Sequence, residues 1–342
     1  MSEALLSALT EALAELVTAV ETAGDEVLDP DTAVKWLEGT AYVLGGLPAA
    51  DRRRLDGLFR DAALRQPPGA WRDELLKVSQ GFGLTEDVHP ARLDAVAARV
   101  ESFVTLVRGA DPATPVPSCP GWTLADLIKH HGTTHRWIEH LVRTRATERV
   151  WSRDVPLDLP DDPAAYPDWL AASAAASLRT LRAADPDTRM WSHGADPHVR
   201  FFPRRLLFEA VVHHADAELA LGRAPGPVDP ETAADGIEEF LENLPYFSWV
   251  AEPVAQLDRD GASIRLAATD SGAAWTLTLG GGGFGWQRRA EGAVTATATV
   301  TVEGTAGDLL LLVYGRYGAD DPRFTRHGDR TVLDAWQAAT AL

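Results

Sequence analysis

The residues of this 342-residue chain that are best suited to chemistry lie in two short histidine-containing segments. Glu209 and His213 are four residues apart, so on a helix their side chains lie about 40° apart and can bind one ion together. His130, His131 and His135 form a second group that offers a third ligand. Two histidines and one carboxylate are the ligand set of a catalytic zinc ion with an open position, where water or a thiol binds.

The pair Glu209 and His213 has a structural interpretation as well as a functional one. A glutamate four residues before a histidine is a common surface pair that stabilises a helix by about 0.2–0.5 kcal/mol. The flanking Phe208 and Val211 make this helix too apolar for a solvent-facing one, and a buried carboxylate or imidazole needs a partner or a metal. We therefore interpret the pair as facing inward. Asp216 is a candidate to accept the other ring proton of His213, although helix capping or surface solvation explains it equally well.

Helices between residues 89 and 222 must position these side chains. Apolar residues recur at helical spacing after residue 89, and Thr123 and Asp126 form a capping box that opens the helix carrying His130. Two further helices are predicted at about 168–184 and 203–222. Four long helices with one long connection predict a four-helix bundle.

The whole chain is predicted to have three parts. Residues 1–88 have the pattern of a helical module without a catalytic constellation, residues 89–225 form the bundle, and residues 226–342 form an α+β domain. Strand-like segments of the last part are residues 263–268, 274–279, 284–288 and 294–302. Because the strands precede terminal helices, we expect a mainly antiparallel sheet and a multidomain, mostly α, α+β fold class.

Composition excludes several classes of protein. The 32 Lys and Arg residues against 50 Asp and Glu give a formal charge of −18, so no basic footprint for nucleic acid exists and anionic membranes repel the surface. Small molecules are the expected partners, with a protein partner for residues 1–88 as a further possibility. The single Cys119 permits no intramolecular disulfide. The first residues lack the basic start and apolar run of a signal peptide, so we expect none, and no long apolar run occurs in the sequence. We expect a cytoplasmic protein that does not span a membrane.

Three further motifs are VPSCPGWTLADLIKH at 116–130, EAVVHHADAE at 209–218 and VEGTAGDLLLL at 302–312. Together they resemble the mycothiol-dependent maleylpyruvate isomerase family. The resemblance covers roughly residues 89–342. It implies a DinB-like metal-binding four-helix bundle joined to a smaller α+β domain related to sterol-carrier proteins.

Position by position, the resemblance implies that the metal ligands are His130, Glu209 and His213. The metal is zinc in the isomerase, and zinc or another divalent ion is expected here. The sequence departs from the family's usual pattern at His131 and His214, where other residue types are common. These two histidines are therefore alternative ligands, acid/base groups or simple surface residues.

The resemblance also implies the chemistry. In the isomerase, mycothiol adds across the double bond of maleylpyruvate, the resulting single bond rotates, and elimination releases fumarylpyruvate. An anionic substrate needs a cation to fix it, and Arg200, Arg204 and Arg205 are candidates, although solvated cations near a helix end are the plainer interpretation.

We therefore predict a zinc-dependent enzyme that uses a low-molecular-weight thiol, mycothiol by resemblance, for thiol transfer, addition or isomerisation of a small electrophile. One alternative is a metal-dependent hydrolase in which the ion activates water instead of sulfur. The other alternative is a non-catalytic ligand-binding or regulatory protein. A hydrolase should not require the thiol, so thiol dependence distinguishes it from the predicted enzyme. A non-catalytic protein should lack stoichiometric metal, so metal content distinguishes it from both enzymes.

Overall fold

The computed structural model describes residues 3–45, 47, 49–84, 88–289 and 298–340. The chain forms two compact units, which we call unit 1 (residues 1–92) and unit 2 (residues 93–342). The boundary falls within a helix, and each unit has its own cluster of buried apolar side chains.

Unit 1 is helical in its described part. Its helices are α1 (Glu3–Glu21), α2 (Pro30–Gly45), α3 (Ala49–Arg65), α4 (Ala70–Leu75) and α5 (Val78–Gly81), followed by the start of α6 (Val88–Val107). Ala14 and Val17 of α1 are buried together with Phe59 of α3 and Leu75 of α4. This small core explains why apolar residues recur at helical spacing along the segment.

The first part of unit 2 contains the helices that carry the candidate ligands. After α6 come α7 (Leu124–Thr144), α8 (Tyr166–Ala183) and α9 (Phe201–Ala220). α7 packs against both α8 and α9. Gly132 permits the close approach of α8, since a Cβ atom there would lie 2.1 Å from a ring carbon of Trp169.

The second part of unit 2 is an α+β assembly. Its elements are α10 (Pro230–Asn243), α11 (Ser248–Ala255), β1 (Ser263–Ala268), β2 (Ala274–Gly280), β3 (Gly283–Arg289), β4 (Val300–Gly304), α12 (Ala306–Val313), β5 (Thr325–Gly328) and α13 (Arg330–Ala339). Among the described residues the strands form one sheet in the order β3-β2-β1-β4-β5. β1 and β4 are parallel, and the other neighbouring pairs are antiparallel.

The sheet differs from the sequence prediction at two strands. The expected strand at 294–302 begins at Val300 and continues to Gly304, while its residues 294–297 lie outside the described part. β5 was not expected, because the segment TRHG is polar and mostly exposed and so carries no apolar alternation.

A continuous apolar core joins the helices and the sheet of unit 2. β1 buries alternate residues, Ile264, Leu266 and Ala268, and both α12 and α13 pack on β1 and β4. α10 contacts α9 on one side and α12 on another, so it links the bundle to the sheet. The predicted fold class is confirmed: the chain is mostly helical and ends in an α+β region. In the described residues, no helix has the length and apolar character needed to cross a membrane.

Candidate metal centre

α7 brings His130 to the site two turns after a well-formed helix start. The Thr123 hydroxyl accepts a hydrogen bond from the Asp126 backbone N–H at 3.3 Å, and the Asp126 carboxylate accepts one from the Thr123 N–H at 2.9 Å. This is the predicted capping box, which satisfies two backbone donors at once. Trp122, just before the cap, packs against the imidazole of His130 with 5.1 Å between ring centroids.

α9 brings Glu209 and His213 to the same place. The helix is buried along most of its length, including Phe208, Val211 and Val212, so its polar side chains must find partners inside the protein. Both Glu209 and His213 point toward α7. The inward orientation expected from the apolar flanking residues is therefore what the structure has.

The three side chains converge on one point. Glu209 Oε1 lies 2.7 Å from His130 Nε2 and 3.1 Å from His213 Nε2, and the three atoms are all within 4.8 Å of one another. The exposed fraction of the side chain is 41% for His130, 14% for Glu209 and 8% for His213. Two imidazole nitrogens and one carboxylate oxygen on a common centre fit a divalent cation, and the exposed His130 side leaves access for a further ligand.

Opposite charges dominate the electrostatics of this cluster. Burial disfavours the charged form of Glu209, but the neighbouring His213, His130 and Arg205 outweigh burial and hold the pKa of Glu209 well below its usual range. Burial also lowers the pKa of His213, yet the carboxylates of Glu209 and Asp216 raise it to about 9 overall. Each shift thus reflects the pairing of opposite charges within the centre: the carboxylate of Glu209 is held ionised, and the positive charge of His213 is favoured.

Asp216 orients His213 from behind. The Asp216 carboxylate lies 2.8 Å from His213 Nδ1, so the Nε2 atom is directed toward Glu209. The same carboxylate accepts hydrogen bonds from the Ser118 hydroxyl at 2.6 Å and from the Arg316 guanidinium at 3.0 Å. Asp216 is completely buried, and although burial opposes ionisation, His213 and Arg316 lower its pKa. Of the three interpretations of Asp216, which are orientation of His213, helix capping and surface solvation, its complete burial and its contact with His213 Nδ1 favour the first.

The sequence pattern missed Arg316. This arginine follows α12 and reaches Asp216 from the α+β part of unit 2, about 100 residues away in sequence. No periodic signal connects the two positions, so only the tertiary structure reveals the contact.

The three candidate substrate arginines have different surroundings. Arg205 donates to Glu209 Oε2 at 2.8 Å. Arg200 pairs with Asp187 and Asp196, and Arg204 pairs with Asp235 and Glu242. All three are buried against carboxylates, which differs from the solvated helix-end interpretation. In the described contacts, neither Arg200 nor Arg204 touches the three converging side chains.

The other histidines lie outside the convergent group. His131 is completely buried and packs edge-to-face on Phe103, with ring centroids 5.1 Å apart. His135 is also buried, and its Nδ1 lies 2.7 Å from the Ser177 hydroxyl. His214 Nε2 lies 3.9 Å from Glu218, on another side of α9. Among the described residues, the group suited to a metal comprises His130, Glu209 and His213 and not these three.

Cys119 lies beside the centre without being activated. Its sulfur is 3.6 Å from Asp216. Burial and the negative charge of Asp216 raise the pKa of the thiol to about 11, despite the opposing effect of Arg316. The thiol is therefore protonated at neutral pH, which makes it a poor nucleophile.

Two segments of the chain match family profiles of known protein domains. Residues 93–218 match the family profile of the mycothiol maleylpyruvate isomerase N-terminal domain, and residues 231–335 match that of the corresponding C-terminal domain. No curated protein sequence matches the chain.

Two solved structures are similar to this chain at low sequence identity. A crystal structure of the mycothiol-dependent maleylpyruvate isomerase is 14% identical, with a TM-score of 0.46, covering 70% of this chain and 92% of the other. The stereoselective inverting sec-alkylsulfatase from Pseudomonas sp. is 15% identical, with a TM-score of 0.27, covering 90% of this chain and 43% of the other.

Proposed function

The chain belongs to the mycothiol-dependent maleylpyruvate isomerase family, and from this membership we propose that it is a metal-dependent enzyme that uses a low-molecular-weight thiol as cosubstrate. The proposed metal is zinc or another divalent ion, the thiol is mycothiol, and the substrate is a small electrophile such as maleylpyruvate. The observation that supports this proposal most strongly is the convergence of His130, Glu209 and His213 on one point.

The proposed roles of the residues follow from their contacts. His130 Nε2, Glu209 Oε1 and His213 Nε2 hold the cation, and Asp216 fixes the ring of His213 so that Nε2 faces inward. When bound, the cation stabilises a thiolate at neutral pH. Since His130 is the most exposed of the three, small molecules reach the centre from its side.

The proposed isomerisation regenerates the thiol. The thiolate sulfur forms a bond to one carbon of the cis double bond, while the electron pair of that bond moves onto the conjugated carbonyl. Rotation about the new single bond follows. The electron pair then returns, the carbon–sulfur bond breaks, and the trans double bond forms. No oxidant or reductant is needed. A transferase variant of this chemistry stops at the adduct, which gains one proton and consumes one thiol.

An assay of the zinc-loaded chain with maleylpyruvate, with and without mycothiol, tests the proposal. We expect trans product only when the thiol is present. Glu209→Gln removes the negative charge of one proposed metal ligand. Because a bound metal ion stabilises the charge of the transition state by several kcal/mol, we expect the rate to fall by roughly 10³-fold. Glu218→Gln, on the same helix but directed at His214 and the Gly226 backbone, is the matched control and should retain the rate.

Two other results would contradict the proposal. Water-derived product formed without any thiol would identify a metal-dependent hydrolase. A chain that takes up no stoichiometric metal, and in which Glu209→Gln changes nothing, would identify a non-catalytic binding protein.

A further inference from the structure

The second carboxylate oxygen of Glu209 is held by a buried arginine. Arg205, one turn before Glu209 on α9, donates from one nitrogen of its guanidinium to Glu209 Oε2 at 2.8 Å. Its other terminal nitrogen donates to Glu239 Oε2 at 2.7 Å and to the Tyr314 hydroxyl at 3.0 Å. The two oxygens of Glu209 therefore face different partners, since Oε1 faces the histidines and Oε2 faces Arg205.

The partners of Arg205 are themselves fixed. The Tyr314 hydroxyl lies 3.1 Å from Glu239 Oε2, and Asn243 donates to Glu239 Oε1 at 3.1 Å. Asn243 also accepts a hydrogen bond from the Ala195 backbone N–H at 3.0 Å. Both oxygens of Glu239 are thus engaged, which leaves Arg205 little freedom to swing away from Glu209.

The burial of Arg205 argues against a substrate-binding role. Its side chain is 11% exposed and is paired with two carboxylates and a hydroxyl. A guanidinium has a planar fork of donors that matches carboxylate geometry, and Arg205 uses both arms of its fork on residues of this chain. An incoming anion would have to displace one of these buried partners.

We propose that Arg205 is a positioning residue of the metal centre: together with Glu239 and Tyr314 it holds Glu209 Oε2 away, so that only Oε1 binds the cation and one coordination position stays open. This inference rests on the metal centre of the proposed function. A carboxylate can bind a metal through one oxygen or through both. If Oε2 were released, Glu209 would bind through both oxygens and occupy the position that the thiol needs.

Cobalt(II) added alone to the metal-free chain tests the proposal, because its visible absorption weakens as its coordination number rises. In Arg205→Lys the charge is retained but the fork is lost, so we expect clearly weaker visible absorption per bound ion than in the wild type. Arg204→Lys is the matched control. Arg204 is the adjacent residue and its side chain is 8% exposed, but its partners are Asp235 and Glu242, so the spectrum of Arg204→Lys should equal that of the wild type.

Tyr314→Phe removes one hydroxyl from the same network and serves if Arg205→Lys does not fold. We expect a smaller change in the same direction. Unchanged spectra in every folded variant of the network, or an equal change in Arg204→Lys, would overturn the positioning role while leaving the proposed function intact. Absence of cobalt binding by the wild-type chain would instead overturn the metal centre itself.

Discussion

The two helices that supply the candidate ligands hold them in different ways. On α9, Asp216 fixes His213, and Arg205 fixes Glu209. In both pairs the two side chains are at most 14% exposed. On α7, the side chain of His130 is 41% exposed, and its ring contacts the rings of Trp122 and His213 and the carboxylate of Glu209. The difference indicates that α9 provides a preorganised half of the centre, while α7 provides the half that adjusts and faces incoming molecules.

The largest effect is expected on the α9 side, from Asp216→Asn. The substitution leaves Arg316 buried without its charged partner, which should lower the free energy of unfolding by about 3–5 kcal/mol. It also weakens the orientation of His213, so zinc affinity should fall by about 10–100-fold. Urea unfolding and competition with a chelator measure the two effects.

Asp126→Asn is the matched control on α7. Asp126 belongs to the capping box and does not contact the three converging side chains, so only stability should change, by about 1 kcal/mol. Equal losses of zinc affinity in Asp126→Asn and Asp216→Asn would contradict the contrast between the helices.

A second prediction concerns the buried face of α7. Burial lowers the pKa of His135 from 6.5 to about 4, although the charge of Glu209 opposes this shift. Between these pH values the unfolded chain binds a proton that the folded chain does not, so the free energy of unfolding decreases as the pH falls. His135 alone contributes up to about 1.4 kcal/mol per pH unit, or about 3 kcal/mol over the window. His135→Gln should flatten the profile by that amount.

Ser177→Ala is the control for this measurement. It removes the hydrogen-bond partner of His135 Nδ1 but leaves the imidazole in place. The variant should be less stable at every pH, with the slope between pH 4 and 6.5 retained. A His135→Gln profile as steep as that of the wild type would show that His135 is not the group responsible. The midpoints of urea unfolding, measured for the wild type and both variants between pH 4 and 6.5, distinguish these outcomes.

The smallest effect is expected at Trp122. Its ring contact with His130 corresponds to about 0.5–1.5 kcal/mol, so Trp122→Leu should weaken zinc binding by tenfold or less. Trp151→Leu, at an exposed tryptophan stacked under Arg149, should leave zinc binding unchanged. A loss larger than that of Asp216→Asn would reverse the proposed order of the two helices.

The positions of His130, Glu209 and His213 were predictable from the sequence because local signals set them. The capping box fixes where α7 begins, and a separation of four residues on an apolar helix places Glu209 beside His213 on an inward face. The family resemblance, which the domain matches confirm, adds which histidine of α7 is expected to join them.

Apart from Asp216, the supporting residues were not predictable in the same way. Arg205 was considered as a substrate cation or as a solvated cation near a helix end, because a sequence does not show that Glu239 and Tyr314 surround it. Glu239 stands in an ordinary acidic helix pattern, and Arg316 follows a leucine-rich helix far along the chain. Their contacts arise from the packing of α10 against α9 and of α12 against α10, which local periodicity does not encode.

At the level of the fold, strongly periodic segments were the predictable ones. The bundle helices and the central strands have clear apolar patterns, whereas the polar β5 has none. The proposed division at residues 88 and 225 stays a prediction, as does a partner for residues 1–88.

Anomalous X-ray diffraction from zinc-soaked crystals tests the metal centre most directly. We predict one strong zinc peak about 2.0–2.2 Å from His130 Nε2, Glu209 Oε1 and His213 Nε2. A peak coordinated by His131 or His214 instead, or no peak between these three atoms, would contradict the proposed metal centre.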